Sequence, residues 1–171
     1  MPADATELSR LYLQPGILLA SLGALALAFA AQYVWGLEPC ILCLYQRIPY
    51  ALAALLGLVG LILGPDWRVW IAGLAGLAFA VGSGIAAYHV GVEQHWWQAA
   101  TSCGASTNNG PLSFEAFRQG LNAKQEIRCD QIAWTLFGLS MATYNVFVSG
   151  TLAAGSLMGA RLLAREDRTV P

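Results

Sequence analysis

Four uncharged apolar runs constrain this chain more than any other feature. Gly16–Trp35, Ile48–Leu63, Val69–Val90 and Ile132–Ala160 contain no Asp, Glu, Lys or Arg. A helix needs about 20 mainly apolar residues to cross a bilayer core. Backbone in lipid must satisfy its hydrogen bonds internally, which leaves helices or closed barrels. The runs are continuous rather than alternating, so helices are expected and a barrel is not. The reading is all-α: an integral membrane antiparallel four-helix bundle, one domain over 1–171, with spans near 16–35, 45–64, 69–90 and 132–156. The second run is short and borrows residues before Ile48. The fourth is long enough to tilt or emerge from the bilayer. The first exceeds the roughly 7–15-residue apolar core of a signal peptide, and its flank is not basic, so no cleaved leader is expected. Only 11% of the residues are charged, against about 25% in an ordinary soluble domain. The net charge of −1 gives no basic field for nucleic acid.

Four spans put both termini on one side and the segments 36–47 and 91–131 on the other. Arg10, Arg68, Arg161, Arg165 and Arg168 fall on the terminal side. Arg47, Arg118, Lys124 and Arg128 fall opposite. The basic cluster after the last span tips the termini toward the cytoplasm. Small residues recur every fourth position at Gly16, Ala20, Ala24 and Ala28, and again at Ala72, Gly76, Ala80 and Gly84. Such rows let helices approach closely in lipid. In the long outer segment, Ser113 is placed to cap a short helix whose Phe114, Phe117 and Leu121 share one face. With Trp96 and Trp97, that segment is expected to lie in the membrane interface.

All four cysteines lie outside the apolar runs, on the side that holds both outer segments: Cys40, Cys43, Cys103 and Cys129. Buried structural cysteines would be expected inside the spans. Cys40-Ile-Leu-Cys43 is a C-x-x-C motif, a spacing that closes a tight disulfide and often depresses a thiol pKa. The second pair, if bridged, would close a loop of roughly 25 residues, long enough to stabilise appreciably. Two pairs on one face permit sequential thiol–disulfide exchange. The competing readings are two structural disulfides or a four-thiolate zinc site. Zinc sites usually join two close-spaced pairs and only one is close-spaced here, so no metal is expected.

Arg47 follows Cys43 by four residues, one helical turn. A guanidinium there would stabilise a Cys43 thiolate, or bind an oxygen on which negative charge develops. The plain alternative is an arginine snorkelling at the end of a span. Pro49 would sit in the interior of any helix begun much earlier. His89, at the outer end of the third span, could donate to a carbonyl or carry a proton, or could simply bond a backbone carbonyl. His95 is six residues on, a poor match for two ligands on one helix face. Glu93 reads as a solvated charge.

These residues resemble a known family. Glu38-Pro-Cys-Ile-Leu-Cys-Leu-Tyr-Gln-Arg47 is similar to the first periplasmic loop of the disulfide bond formation protein B (DsbB) family. Ala87-Tyr-His-Val-Gly-Val-Glu93 with Trp96, Trp97 and Cys103 resembles the end of that family's third span. Cys129-Asp130, Trp134 and Gly138-Leu-Ser-Met-Ala142 resemble the entry to its fourth. The resemblance implies a quinone-linked protein thiol oxidase in the bacterial inner membrane. Cys103 would be attacked by a reduced periplasmic thiol oxidase of the DsbA kind. Cys129 would be its partner cysteine, able to link transiently to Cys40. Cys43 would face the quinone, with Arg47 and His89 binding it. Gln46 stands where some members carry an acid. Ubiquinone is the expected quinone, with menaquinone the alternative. That a DsbA–DsbB–quinone chain keeps a periplasm oxidising is established, and DsbA itself is a strong oxidant near about −120 mV. Two other readings remain: a vitamin K epoxide reductase-like enzyme, whose quinone-proximal C-x-x-C comes late in the chain rather than early, and a non-catalytic membrane scaffold stapled by its disulfides.

Overall fold

The computed structural model describes residues 5–97 and 128–166 of the chain. They form α1 (Ala5–Tyr33), α2 (Ile41–Leu63), a 3-10 turn at Pro65–Trp67, α3 (Arg68–Glu93), a two-stranded hairpin and α4 (Met141–Glu166). All four helices are long and apolar enough to cross a membrane. At 1.5 Å per residue, the 23 residues of α2 reach about 35 Å, enough for a core of about 30 Å. The expected short helix at 113–121 lies outside the described residues.

Consecutive helices are neighbours, and α4 closes the ring against α1. The α3–α4 seam is the most extensive and the α1–α4 seam the sparsest of the four. The directions alternate. Gln14 near the start of α1 donates to the Arg68 carbonyl at the start of α3 (3.2 Å). Glu93 at the end of α3 accepts from Ser140, just before α4.

The packing inverts that of a soluble bundle. Its centre is built from Ile17, Tyr50, Ala53, Ala72, Ala75, Phe79, Ala153 and Ala160. Bulky side chains such as Leu19, Leu27, Ile62, Trp70 and Phe147 point outward. Lipid tails are as apolar as leucine, so small residues go where backbones must meet. Gly57 is the sharpest case: a Cβ there would lie 2.9 Å from the backbone nitrogen of Leu18.

The predicted fourth-position rows hold only in part. Ala72 and Gly76 are buried, but Ala80 and Gly84 are exposed, and Gly16 is exposed in α1. A step of four residues turns about 40° past a full revolution, so a strict row drifts off its own interface. The buried stripe of α3 instead runs Ala72, Ala75, Phe79, Gly82, Ala86, His89 and Glu93, alternating steps of three and four.

Two boundaries also shift. The second helix begins at Ile41 rather than near residue 45, so Cys43 lies inside it together with Arg47. The fourth begins at Met141, not near residue 132, although Ile132–Ala160 is uncharged throughout. Thr135–Leu136 pairs antiparallel with Leu139–Ser140. The two turn residues, Phe137 (φ 50°) and Gly138 (φ 80°), are both left-handed, as a tight hairpin turn requires. Hydropathy does not register a left-handed turn, so the run looked helical from its start.

Candidate functional site

Cys40 is the N-cap of α2. Its backbone is extended, and its sulfur accepts the Cys43 N–H at 3.4 Å. The C-x-x-C spacing is therefore a helix-capping spacing, with the N-cap side chain satisfying an amide three residues on. Cys40 Sγ also donates to Cys43 Sγ at 3.1 Å. That hydrogen bond, followed by burial, pushes the Cys40 thiol up to about 12 from 9.0.

His89 reaches the same sulfur from α3, with Nε2 3.6 Å from Cys40 Sγ. Its other ring nitrogen lies 2.8 Å from Gln46 Nε2. Glu93, one turn on, is buried with a carboxylate oxygen 3.8 Å from His89 Nε2. Its second oxygen accepts the Ser140 hydroxyl. Ser140 in turn caps α4 by accepting the Thr143 N–H at 3.2 Å. The reading of Glu93 as a solvated charge is corrected: it ties α3 to the cap of α4. Cys129 is fully buried in a cluster with Cys40, Leu42 and Val92. Beside it, Arg128 and Asp130 form an exposed ion pair at 2.5 Å. The Arg128 guanidinium holds the Asp130 carboxyl below the usual range.

The end of α3 holds this arrangement together. The Trp96 N–H donates to the Gly91 carbonyl and the His95 N–H to the Val92 carbonyl. His95 takes the left-handed conformation (φ 58°) between them, the pattern that closes many helices. Trp97 then folds back, donating its Nε1–H to the Tyr88 carbonyl (3.1 Å) and stacking on the Tyr88 ring. Its ring fills the space a Cβ at Gly91 would need.

Arg47 is placed differently from expectation. Its Nη1 donates to Gln32 Oε1 (2.7 Å) and its Nη2 to the Ala28 carbonyl (3.3 Å). The guanidinium carbon lies 4.9 Å from the centroid of the Phe29 ring. Its hydrogen bonds thus run to α1 and not to the Cys43 sulfur.

Beside the dithiol lies a cavity of about 300 Å³. Ala24, Ala28 and Ala31 of α1 and Met141 and Val148 of α4 give it apolar walls. It sits between the two helices whose seam is sparsest. Cys40, Cys43, Arg47 and His89 line it, so four of the sequence-predicted site residues meet there. Cys129 belongs to the same buried cluster as Cys40. Cys103 lies outside the described residues. The volume is at the lower end of small-molecule sites, and the mix of apolar walls with a few convergent polar groups is typical of them. A flat apolar ring with carbonyl oxygens fits this set: Arg47 offers N–H groups and Cys43 a thiol, with the His89 ring, its nitrogens on Cys40 and Gln46, at the same wall.

Sequence reasoning missed several residues. Gln32 and Phe29, Tyr50, Asn145 and Ser149 hold the site and carry no motif, and Ser140 lies in a quoted motif without being singled out. Asn145 had a signal, because an amide inside an apolar run is costly unless it is hydrogen-bonded. The sequence also gave no hint that Cys40, Cys43 and His89 bring ligand-type atoms within 4.8 Å of one another. Two sulfurs and an imidazole so spaced would suit a soft divalent cation.

The family model for disulfide bond formation protein DsbB matches residues 12–159. The disulfide bond formation protein B of Xanthomonas campestris pv. campestris (strain 8004) is 41% identical over 136 residues, covering 75% of this chain and 77% of that protein. Its counterpart from Xylella fastidiosa (strain 9a5c) is 35% identical, covering 84% and 86%. That of Dechloromonas aromatica (strain RCB) is 32% identical, covering 88% and 90%. No solved structure matches the chain.

Proposed function

Since the chain belongs to the disulfide bond formation protein DsbB family, a multi-pass membrane protein family of disulfide formation, we propose that it is a quinone-linked protein thiol oxidase of a bacterial inner membrane. The observation that carries the reading is that Cys43 lines an apolar cavity at the outer end of four membrane helices, against Cys40, His89 and Arg47. The termini are cytoplasmic and the cysteine-bearing segments periplasmic. Reduced DsbA-like oxidase attacks at Cys103, and exchange passes through Cys129 to Cys40. The burial of Cys129 in one cluster with Cys40 supports that route.

Each of the chain's own groups has a part. Cys40 and Cys43, 3.1 Å apart, are close enough to form and break one S–S bond with little backbone movement. Arg47 is held by Gln32 and Phe29, so its donors are fixed before anything binds. His89 stands at the same wall with its ring nitrogens on Cys40 and Gln46. The apolar walls from α1 and α4 exclude water and strengthen each of these interactions. Ubiquinone, or menaquinone in its place, supplies when bound a two-electron, two-proton acceptor fed from the membrane. Arg47 and His89 would hold it beside Cys43.

The test is turnover of purified protein with a reduced dithiol protein and a soluble ubiquinone analogue, followed by quinone absorbance. Cys43→Ser is expected to lower quinone consumption at least ~100-fold while leaving the fold intact by circular dichroism. Undiminished turnover in that variant rejects the reading.

A further inference from the structure

A chain of polar side chains runs from the dithiol into the middle of the bundle, and the reaction above assigns it no part. Gln46 Nε2 lies 2.8 Å from His89 Nδ1. Asn145 Nδ2 donates to Gln46 Oε1 at 2.5 Å. Asn145 Oδ1 accepts from the Tyr50 hydroxyl at 2.7 Å and from the Ser149 hydroxyl at 3.0 Å. The two hydroxyls are themselves 2.8 Å apart. Tyr50, Gln46, Ser149 and His89 are all buried, and Gln46, Tyr50, Asn145 and His89 line the cavity.

The chain has a direction. With the Asn145 carbonyl oxygen accepting from the two hydroxyls, its NH2 group faces the Gln46 carbonyl. That leaves the Gln46 NH2 group facing His89. A ring nitrogen that receives an N–H hydrogen bond carries no proton of its own. In the neutral ring the single proton therefore sits on Nε2, the nitrogen 3.6 Å from Cys40 Sγ and 3.8 Å from a Glu93 carboxylate oxygen, on a ring that also bonds the Cys129 backbone. We propose that Tyr50, Ser149, Asn145 and Gln46 are positioning residues that hold His89 as its Nε2–H tautomer, with that N–H aimed at the Cys40 sulfur.

The consequence for exchange is direct. When a disulfide at Cys40 is attacked on its other sulfur, one S–S bond forms and one breaks. The electron pair of the broken bond leaves on Cys40. An N–H already aimed at that sulfur in a dry site stabilises the departing thiolate without reorganisation. The same proton disfavours the soft-cation geometry noted above, since a ligating Nε2 must be bare.

The consequence rests on the proposed thiol chemistry; the tautomer does not. The chain has two histidines, so imidazole nitrogen NMR of the full-length reduced protein, selectively 15N-labelled at histidine, can resolve them, with His95→Gln for assignment. In the wild type, His89 is expected to show a protonated Nε2 and a bare Nδ1. Asn145→Asp and Gln46→Glu each replace an amide by a pure acceptor and reverse the chain, so each should place a proton on Nδ1. Dithiol oxidation should fall roughly tenfold or more in Asn145→Asp. A wild-type ring protonated on Nδ1 overturns the proposal, even if no variant folds. So does an unmoved proton in both reversing variants. A normal tautomer pattern without any quinone reduction would instead reject the quinone reading and leave this one standing.

Discussion

Cys40 caps α2 and donates a hydrogen bond to Cys43, and its acidity follows from both positions. Losing its proton would break the bond to Cys43 and leave a buried charge, which is why the thiol is pushed up to about 12. Below pH 9 the thiolate fraction at Cys40 is then far smaller than at an ordinary cysteine, and only thiolate is nucleophilic. In the reduced protein, alkylation at pH 8 is therefore expected at Cys43 well before Cys40, read by mass spectrometry of the labelled peptide. Equal labelling would contradict the hydrogen-bonded arrangement. The linkage has a sign. Between about pH 9 and 12 the unfolded chain has lost this proton and the folded chain keeps it, so the reduced form loses stability as pH rises across that window.

The helices owe their positions to close approaches that few side chains permit. A Cβ at Gly57 would meet the Leu18 backbone at 2.9 Å, and backbone cannot yield as a flexible side chain can. Gly57→Ala is expected to destabilise the bundle by about 1–3 kcal/mol. Gly84→Ala has nothing within 4 Å and should be tolerated. Thermal unfolding in detergent compares the two, and equal melting would show that α1 and α2 do not meet at Gly57. The number and type of the helices were legible in the sequence because long uncharged runs admit one structure in lipid. Their ends were not. Ser140 and Cys40 start helices by hydrogen bonds that hydropathy does not count, and Phe137 breaks the last run by a backbone angle. The site was legible in the cysteines, Arg47 and His89 through spacing and resemblance. Its supporting polar residues were not, since Asn145, Tyr50 and Gln32 acquire partners only once four helices are assembled.

Taken whole, the molecule has two unlike ends. One gathers Cys40, His89, Glu93, Ser140 and the hairpin; the other holds Gln14, Gly60 and the Pro65–Trp67 turn. Single cysteines placed at Phe137 and Asp66 in a chain without native cysteines should be labelled from opposite sides by an impermeant maleimide in intact cells and inverted vesicles. The orientation proposed above puts Phe137 on the periplasmic side. Labelling of both from one side would contradict a four-span path. The thin seam between α1 and α4 carries a further implication. In the proposed reaction the two reactants come from different solvents: the thiol from the aqueous compartment, the oxidant sideways out of the hydrocarbon. The oxidant's supply would then scale with its mole fraction among the lipids, and diluting the cells or swelling the periplasm would leave it unchanged.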